Sequence, residues 1–214
     1  MSIQKLNVLH RIIDSGLVAI VRADVSDQAA RIAEACYKGG VVALEITFTV
    51  PGAAKVIETL AREYKPSEMI IGAGTVLDPE TARIAILSGA QFVSPALNNE
   101  TARLCNRYQI PYMPGTGTVK EIIESMEAGA DIIKIFPSEG LGPGFVKAVH
   151  SPLPQAQLMP TGGVSLENVT DWIKAGCVAV GVSGNLTGMK TANDSKAITD
   201  LAKEFLEKIR KARA

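Results

Sequence analysis

The 214-residue sequence has few of the residues that metal centres and disulfide frameworks require. Only two histidines occur, His10 and His150, and neither lies in a motif, which disfavours a histidine-dependent triad and a multi-histidine metal site. The three cysteines are scattered, odd in number and without CxxC spacing, which indicates buried thiols in a reducing cytosol rather than disulfides or a zinc site. We therefore expect no metal and no cofactor.

Excess charge and long apolar runs are also lacking. Lysine plus arginine total 22 and aspartate plus glutamate total 22, a neutral balance that argues against nucleic acid and against an anionic membrane surface as partners. No run of about 18 apolar residues is free of charged or turn residues, so no transmembrane helix is expected. The N-terminal segment MSIQKLNVLHRIID lacks the apolar block of a signal peptide and has the pattern of an amphipathic helix. These features predict a cytoplasmic protein with one domain over residues 1–214.

The chain does contain a regular alternation of short apolar runs and helical patterns. The runs recur at roughly 20–25 residues, the length of one strand plus one helix. They are LVAIV (17–21), VALEI (42–46), MIIG (69–72), QFV (91–93), PYM (111–113), DIIKIF (131–136), QLMP (157–160) and VAVGV (178–182). Eight such units favour a closed barrel over an open doubly wound sheet. We predict an α/β protein with a single (β/α)8 TIM barrel and an additional N-terminal helix.

A weak repeat places a glycine before every second strand, where the end of a helix often takes a left-handed conformation. These glycines are Gly40, Gly89, Gly129 and Gly176. The residues five positions beyond them are Glu45, Ser94, Lys134 and Gly181. Alternate strands of a barrel contribute side chains to one interior layer. We therefore expect Glu45 and Lys134 to converge from opposite walls, with Ser94 and Gly181 leaving room between them.

Lys134 interrupts the apolar strand DIIKIF, and an isolated buried ammonium is costly. One interpretation is a structural ion pair, or a lysine that extends to solvent from the barrel end. The other is a nucleophile. Burial lowers the pKa of a lysine from its usual value of about 10.4 and so supplies the neutral amine that attacks a carbonyl.

Glu45 interrupts VALEITF in the same manner. It is either the structural counterion of a buried lysine or a general acid/base beside a Schiff base, shuttling protons through water. A buried lysine together with a buried carboxylate is typical of class I aldol chemistry, which needs no metal because the protonated imine accepts the electrons.

Other candidate residues follow the strands at the same end of the predicted barrel. PTGGVS (160–165) and GVSGN (181–185) follow the last two strands, where barrels often bind phosphate through backbone N–H groups. Thr75 and Thr118 end glycine-rich segments and either present hydroxyls to a substrate or serve only the turn and the helix cap. Arg22 either clamps a carboxylate or makes a surface ion pair. Phe136 either walls the pocket or belongs to the core.

Six motifs occur in an order that resembles the 2-dehydro-3-deoxy-6-phosphogluconate (KDPG) and 4-hydroxy-2-oxoglutarate (KHG) aldolase family. They are LEITF, GAGTV, SPALN, MPG, KIFP and PTGGV, and the resemblance covers nearly the whole chain. The resemblance implies a (β/α)8 barrel, a homotrimer and a metal-free Schiff-base mechanism. It also implies that Lys134 forms the imine and that Glu45 is the acid/base.

The resemblance further implies the roles of the remaining pocket residues. Thr75, Pro95 and Thr161 correspond to substrate-pocket residues, beside Arg22 and Phe136. The implied phosphate site consists of Gly162, Gly163, Ser183 and Gly184. One departure concerns the arginine that many members have four residues after the glutamate, because Thr49 stands there. Another branch of the family has an arginine at the end of the first strand, as Arg22 is here.

The expected reaction is cleavage of KDPG, a 2-keto-3-deoxy sugar acid phosphate, into pyruvate and glyceraldehyde 3-phosphate. The same chemistry on 2-dehydro-3-deoxy-6-phosphogalactonate, or on 4-hydroxy-2-oxoglutarate to give pyruvate and glyoxylate, is a close alternative. A phosphosugar epimerase or isomerase would use the TGG segment without an imine. A non-catalytic phosphosugar-binding barrel would bind ligand without turnover.

Overall fold

Strands and helices alternate along the chain in the computed structural model, which describes residues 3–188 and 192–214. The strands are β1 Leu17–Val21, β2 Ala43–Thr47, β3 Ile70–Val76, β4 Val93–Pro95, β5 Gly115–Thr116, β6 Ile133–Ile135, β7 Leu158–Pro160 and β8 Val180–Val182. The helices are α1 Gln4–Ser15, α2 Ser26–Lys38, α3 Ala53–Glu63, α4 Pro79–Leu87, α5 Asn99–Arg107, α6 Val119–Glu127, α7 Gly142–His150, α8 Val169–Lys174, α9 Gly184–Thr187 and α10 Ser195–Arg213. The α/β alternation and the N-terminal helix agree with the prediction.

The strands pair in parallel in two sheets. β4, β3, β2, β1 and β8 form a five-stranded sheet in that order, and β5, β6 and β7 form a three-stranded sheet. Isolated parallel bridges join Val93 to Tyr112, Ala96 to Gly115 and Thr161 to Gly181, where the two sheets adjoin. The continuous ladders thus stop short of the predicted closed sheet of eight strands.

The fifth strand begins later than the apolar run that predicted it. The run PYM covers residues 111–113, whereas β5 is confined to Gly115 and Thr116. Pro111 begins the run and Pro114 directly follows it, and proline has no N–H to donate to a ladder. The run therefore joins its neighbour only through the Tyr112 bridge and short backbone contacts to Val93.

The four repeat glycines adopt the predicted left-handed conformation. Their φ angles are +89° at Gly40, +102° at Gly89, +86° at Gly129 and +105° at Gly176. Each lies two residues beyond the last residue of its helix, namely α2, α4, α6 and α8. The chain therefore turns from helix to strand with the same geometry four times, which gives the four following strands one common register.

Side chains of the strands alternate between two apolar cores. Val18 and Ile20 belong to an inner cluster, whereas Leu17, Ala19 and Val21 pack outward in the larger cluster that includes the surrounding helices. The inner cluster also contains Ala43, Ile70, Phe92, Met113, Ile132, Met159 and Ala179, and it is covered by Val8, Leu9 and Ile12 of α1. Because most of these residues begin a strand or directly precede one, α1 closes the amino-terminal end of the interior. The carboxyl end is left for polar side chains.

The last helix packs with one face on the outer layer. Ile198, Ala202, Phe205 and Ile209 of α10 are buried, at the spacing expected for one helix face, and the helix contacts α2 and α8. Every helix in the described ranges is too short or too polar to span a membrane.

Candidate active site

The amine of Lys134 lies between an acid and a hydroxyl group that come from two other strands. Its Nζ donates hydrogen bonds to Glu45 Oε1 at 3.1 Å and to Ser94 Oγ at 3.2 Å, with Glu45 Oε2 at 3.4 Å. The exposed fractions are 8% for Lys134, 2% for Ser94 and 1% for Glu45. Charge pairing and hydrogen bonding offset the cost of removing both charges from water.

These contacts confirm the interior layer predicted from the glycine repeat. Glu45 on β2, Ser94 on β4 and Lys134 on β6 meet at one level, above the inner apolar cluster. Gly181 on β8 completes the layer, because a Cβ atom there would collide with the hydroxyl of Thr161. The missing side chain at Gly181 therefore gives Thr161 its place in the interior.

Neighbouring backbone fixes Lys134 on β6. Its N–H donates to the Pro114 carbonyl at 2.9 Å, and its carbonyl accepts a hydrogen bond from the Thr116 hydroxyl at 3.1 Å. Both groups lie in or next to β5. Hydrogen bonds thus hold both the N–H and the carbonyl group of Lys134, which fixes the backbone from which the amine projects.

A cavity of about 420 Å³ opens above this layer. Its lining includes five residues predicted for the site, Arg22, Thr75, Pro95, Lys134 and Phe136, together with Leu77, Ser94, Ala96 and Gly115. Glu45 is not in the lining, but its carboxylate lies 3.1 Å from the amine of Lys134, which does line the cavity. A molecule in the cavity would therefore meet Lys134 first, with the carboxylate behind it.

Arg22 lies at the mouth of the cavity, exposed, directly after β1. Two buried hydroxyl groups hold the strand end that carries it: Thr47 donates to the Val21 carbonyl at 3.2 Å, and Thr187 donates to the Ile20 carbonyl. Thr49 takes no part in the cavity lining, since its hydroxyl lies 2.7 Å from that of Thr47. Arg22 is thus the one arginine that borders the cavity within the described ranges.

Thr75 has an unusual backbone conformation, with φ at +54°. A β-branched residue seldom occupies this left-handed region, and the strain is of order 1–3 kcal/mol. The register between β3 and β4 shifts at the same place, between Gly74 and Val76. Because of this irregularity, the Thr75 side chain lines the cavity. In a regular strand, side chains alternate between the two faces, and Thr75 would point to the other face.

The two glycine-rich segments lie side by side after β7 and β8. Gly162 and Gly163 have φ angles of +93° and +74°, and the Asn185 side chain donates to the Val164 carbonyl at 2.8 Å across the two segments. Ser183 directly precedes α9, and Gly184 is its first residue. Gly163 and Gly184 are exposed, so their backbone is open to solvent.

The positions of Phe136 and Thr118 distinguish between the two roles considered for each of them. The Phe136 ring is about half exposed, with its centroid 5.8 Å from Lys134 Nζ, so it walls the cavity rather than the core. Thr118 accepts a hydrogen bond from the Glu121 N–H at 3.2 Å and lies outside the cavity lining. It caps α6.

The sequence did not identify three residues at the site as functional candidates, namely Ser94, Thr47 and Thr187. The five-residue offset did identify Ser94, but only as a small residue that leaves room. Thr47 and Thr187 gave no signal, because their partners are 26 and 167 residues away in the chain. Within the described ranges, no cluster of three or more histidine, cysteine or acidic side chains is arranged to hold a metal ion.

Comparison with known proteins gives one consistent family. Residues 8–201 match the profile of the aldolase family described as KDPG and KHG aldolase. The chain is 36% identical to 2-dehydro-3-deoxy-6-phosphogalactonate aldolase of Escherichia coli K12, over 79% of this chain and 83% of that protein. It is 33% identical to the KHG/KDPG aldolase of the same organism, over 89% of this chain and 91% of that protein.

A solved structure with a similar fold is also related in sequence. It is the KDPG aldolase of Legionella pneumophila with pyruvate captured as a covalent carbinolamine intermediate. The TM-score is 0.81 at 26% identity, over 88% of this chain and 92% of that one.

Proposed function

The chain belongs to the KDPG and KHG aldolase family, and from this premise we propose that it is a class I aldolase that cleaves KDPG into pyruvate and glyceraldehyde 3-phosphate. The observation that carries the proposal is the 3.1 Å contact between Lys134 Nζ and Glu45 Oε1 beside a cavity large enough for a small sugar acid. A structural ion pair needs no such cavity at the amine.

The first stage forms the imine. Glu45 takes one proton from the Lys134 ammonium, and the neutral amine attacks C2 of the keto acid. A new C–N bond forms while the carbonyl oxygen receives a proton from nitrogen, which gives the carbinolamine. The Glu45 carboxylic acid then protonates the C2 hydroxyl, which leaves as water. The iminium again faces a Glu45 carboxylate, so protons and charge balance.

The second stage breaks the C3–C4 bond. Glu45, acting through water because it lies behind the amine, removes the proton of the C4 hydroxyl. The C4 oxygen becomes the aldehyde carbonyl, and the electrons of the broken bond enter the iminium to give an enamine. Glu45 returns the proton to C3, and water hydrolyses the resulting iminium to release pyruvate. One carboxylate within reach of the nitrogen thus serves every proton transfer except the one from nitrogen to the C2 oxygen.

The cavity lining supplies the contacts that hold the keto acid. Arg22 is the cation for the C1 carboxylate, in a charge-assisted pair. Thr75 in the lining offers a hydroxyl group. Thr161 lies outside the lining, and its buried hydroxyl has no hydrogen-bond partner among the described residues. Pro95 and Phe136 form apolar walls beside the pyruvate portion. A buried donor without a partner is costly, which supports a substrate atom as the partner of Thr161.

The phosphate end of the substrate is assigned to the backbone of Gly162, Gly163, Ser183 and Gly184, of which Gly163 and Gly184 are exposed. The left-handed φ angles of Gly162 and Gly163 favour glycine, and a Cβ atom at Gly163 would collide with Glu139, so this turn of main-chain N–H groups forms only without side chains there. The Ser138 hydroxyl donates to the Gly162 carbonyl at 2.6 Å, which fixes the turn from the opposite side. The two segments are also tied together by Asn185.

Borohydride reduction in the presence of pyruvate tests the chemistry and the nucleophile together. Mass spectrometry should locate the reduced pyruvate adduct on Lys134, and Lys134→Ala should abolish it. The matched control is Lys120→Ala, since Lys120 is exposed on α6. An adduct on another lysine would remove the assignment, and the absence of any adduct with the wild-type protein would remove the class I mechanism.

The aldehyde portion of the substrate is tested separately. Specificity constants should be compared for KDPG, 2-dehydro-3-deoxy-6-phosphogalactonate and 4-hydroxy-2-oxoglutarate. The galactonate analogue is the second candidate, because a relative that is 36% identical carries that name. A preference for either phosphorylated substrate over 4-hydroxy-2-oxoglutarate would support the phosphate assignment, and equal constants for all three would contradict it.

The two sheets, we further propose, close into a single eight-stranded barrel. The isolated bridges at Ala96–Gly115 and Thr161–Gly181, which lie at both junctions of the sheets, support closure.

We also propose a homotrimer in the cytoplasm. Exposed apolar side chains at Leu77, Ile84 and Leu87 on and before α4 support self-association, and three buried free thiols support a reducing compartment. Light scattering coupled to size-exclusion chromatography should give three times the mass of the chain.

A further inference from the structure

Ser94 gives the Lys134 amine a hydrogen-bond partner that the two-residue mechanism does not use. Its Oγ accepts from Nζ at 3.2 Å, nearly the same distance as that to Glu45 Oε1. The serine is almost completely buried on β4 and also lines the cavity. Its backbone lies in the ladder opposite Gly74, so the hydroxyl approaches the amine from a fixed position.

We propose that Ser94 is a further catalytic residue, which aims the nitrogen lone pair of Lys134 at the substrate carbonyl. This inference rests on the proposed aldolase function. A neutral amine has two N–H bonds and one lone pair, arranged tetrahedrally around nitrogen. Once Glu45 has taken its proton and the nitrogen has turned, the unprotonated oxygen of Glu45 and the Ser94 hydroxyl provide two acceptors on two different strands. When both N–H bonds are directed to them, the lone pair takes the remaining direction.

That remaining direction leads to the cavity. Glu45 lies behind the amine and outside the lining, and Ser94 flanks the amine. Lys134 itself borders the cavity, near the Phe136 ring. With Glu45 as the only acceptor, one N–H is fixed and the nitrogen can rotate about that bond. In some of these rotations the second N–H, and not the lone pair, points to the substrate carbonyl. Fewer encounters with the substrate then lead to attack.

Ser94 takes no proton in this scheme. The amine attacks C2, the C–N bond forms, and the proton that nitrogen loses passes to the C2 oxygen as described above. The Ser94 hydroxyl only accepts a hydrogen bond before and during attack. It should therefore affect the formation of the imine more than the cleavage of the C3–C4 bond.

The test measures how fast the imine forms. Enzyme is mixed with saturating pyruvate, quenched with borohydride at increasing times, and the adduct on Lys134 is quantified by mass spectrometry. Ser94→Ala should slow adduct formation by about 10- to 100-fold, the loss typical of a misaligned reacting group, while the final extent stays at the wild-type level. The matched control is Ser125→Ala, which removes another buried serine hydroxyl, on α6.

A second variant separates hydrogen bonding from packing. Ser94→Cys keeps a side chain of similar size but offers sulfur, a weak acceptor, so it should be slow as well. Wild-type rates in Ser94→Ala or in Ser94→Cys would overturn the proposal. If the wild-type protein itself forms no adduct on Lys134, the aldolase function fails, which is a different result from a normal rate in the Ser94 variants.

Discussion

The carboxylate of Glu45 occupies the space that a side chain at Gly74 would fill. A Cβ atom placed on Gly74 would lie far inside van der Waals contact of Glu45 Oε1, Cδ and Cγ. The same relation holds between Gly181 and the Thr161 hydroxyl, and between Gly72 and the Phe92 ring. Glycines within these strands thus provide volume for larger side chains that point into the interior.

Gly74→Ala should therefore inactivate the enzyme without unfolding it. The added methyl group would overlap the Glu45 side chain from Cγ to Oε1, so the carboxylate must move away from its position beside Lys134. We expect kcat to fall by about 100-fold, the loss that misplacement by about 1 Å can cause, and the midpoint of thermal unfolding to fall moderately because the buried Lys134–Glu45 pair is disturbed. Gly140→Ala is the control, because a Cβ atom there meets no atom within 4 Å. Wild-type kcat in Gly74→Ala would show that the position of Glu45 does not matter.

Glu45→Gln should lower turnover far more than it lowers stability. The amide keeps the size and a hydrogen-bond acceptor for Lys134 but cannot accept or return a proton. We expect kcat to fall by about 100- to 10,000-fold, the range for loss of a general acid/base. Urea unfolding measures the free energy of unfolding in parallel. Glu124→Gln, on the partly exposed Glu124 of α6, is the control. Near-normal turnover would leave Glu45 only as a counterion.

The repeat of glycine and strand explains why much of the site was predictable. Gly40, Gly89 and Gly129 end their helices at the same offset and in the same conformation, so residue numbers alone gave the common level of Glu45, Ser94 and Lys134. Local backbone chemistry, which a sequence displays directly, determined this part of the architecture.

Other features depend on contacts between distant parts of the chain. Pro111 and Pro114 delay β5 although the run PYM is buried, because burial does not ensure a ladder hydrogen bond. The left-handed Thr75 follows from the register shift between β3 and β4, which no residue type announces. The hydroxyl of Thr187 anchors β1 from the other end of the chain.

The cysteine thiols should resist alkylation in the folded protein. Burial raises the pKa of Cys36, Cys105 and Cys177 to about 12, so the reactive thiolate is scarce at about pH 8. Iodoacetamide should label none of the three under native conditions and all three in denaturant, as counted by mass spectrometry. Rapid native labelling of any one would contradict the buried placement.

The same shifts give a pH dependence of stability with a definite sign. A folded pKa above the unfolded value of about 8.5 means that the unfolded chain loses protons first. The stability contributed by the buried thiols is therefore complete below about pH 8.5 and declines as pH rises toward the folded pKa of about 12. Cys36→Ala should reduce the slope of unfolding free energy against pH in that window. An unchanged slope would argue against burial of the Cys36 thiol.

Arg22 should control binding of the keto acid rather than the chemical steps. A hydrogen bond to a charged group contributes about 1.5–3 kcal/mol, so Arg22→Ala should raise KM by roughly 10- to 150-fold with a smaller effect on kcat. Arg22→Lys should restore only part of the affinity, because an ammonium lacks the planar pair of donors that matches a carboxylate. Arg31→Ala, which removes an exposed arginine of α2, is the control. An unchanged KM in Arg22→Ala would assign the carboxylate to another group.

Loss of the Thr47 hydroxyl, which holds the strand end that carries Arg22, should raise KM as loss of Arg22 does, but by less. Thr47→Val removes the hydroxyl that donates to the Val21 carbonyl but keeps the volume of the side chain, so the strand end that carries Arg22 loses one of its two supports. We expect KM to rise several-fold, with kcat nearly unchanged, and Thr47→Ser to restore KM because it restores the donor. In the Arg22→Ala background, Thr47→Val should no longer change KM, since the group that the anchor positions is absent. Equal effects of Thr47→Val with and without Arg22 would show that the hydroxyl supports the fold and not the position of the arginine.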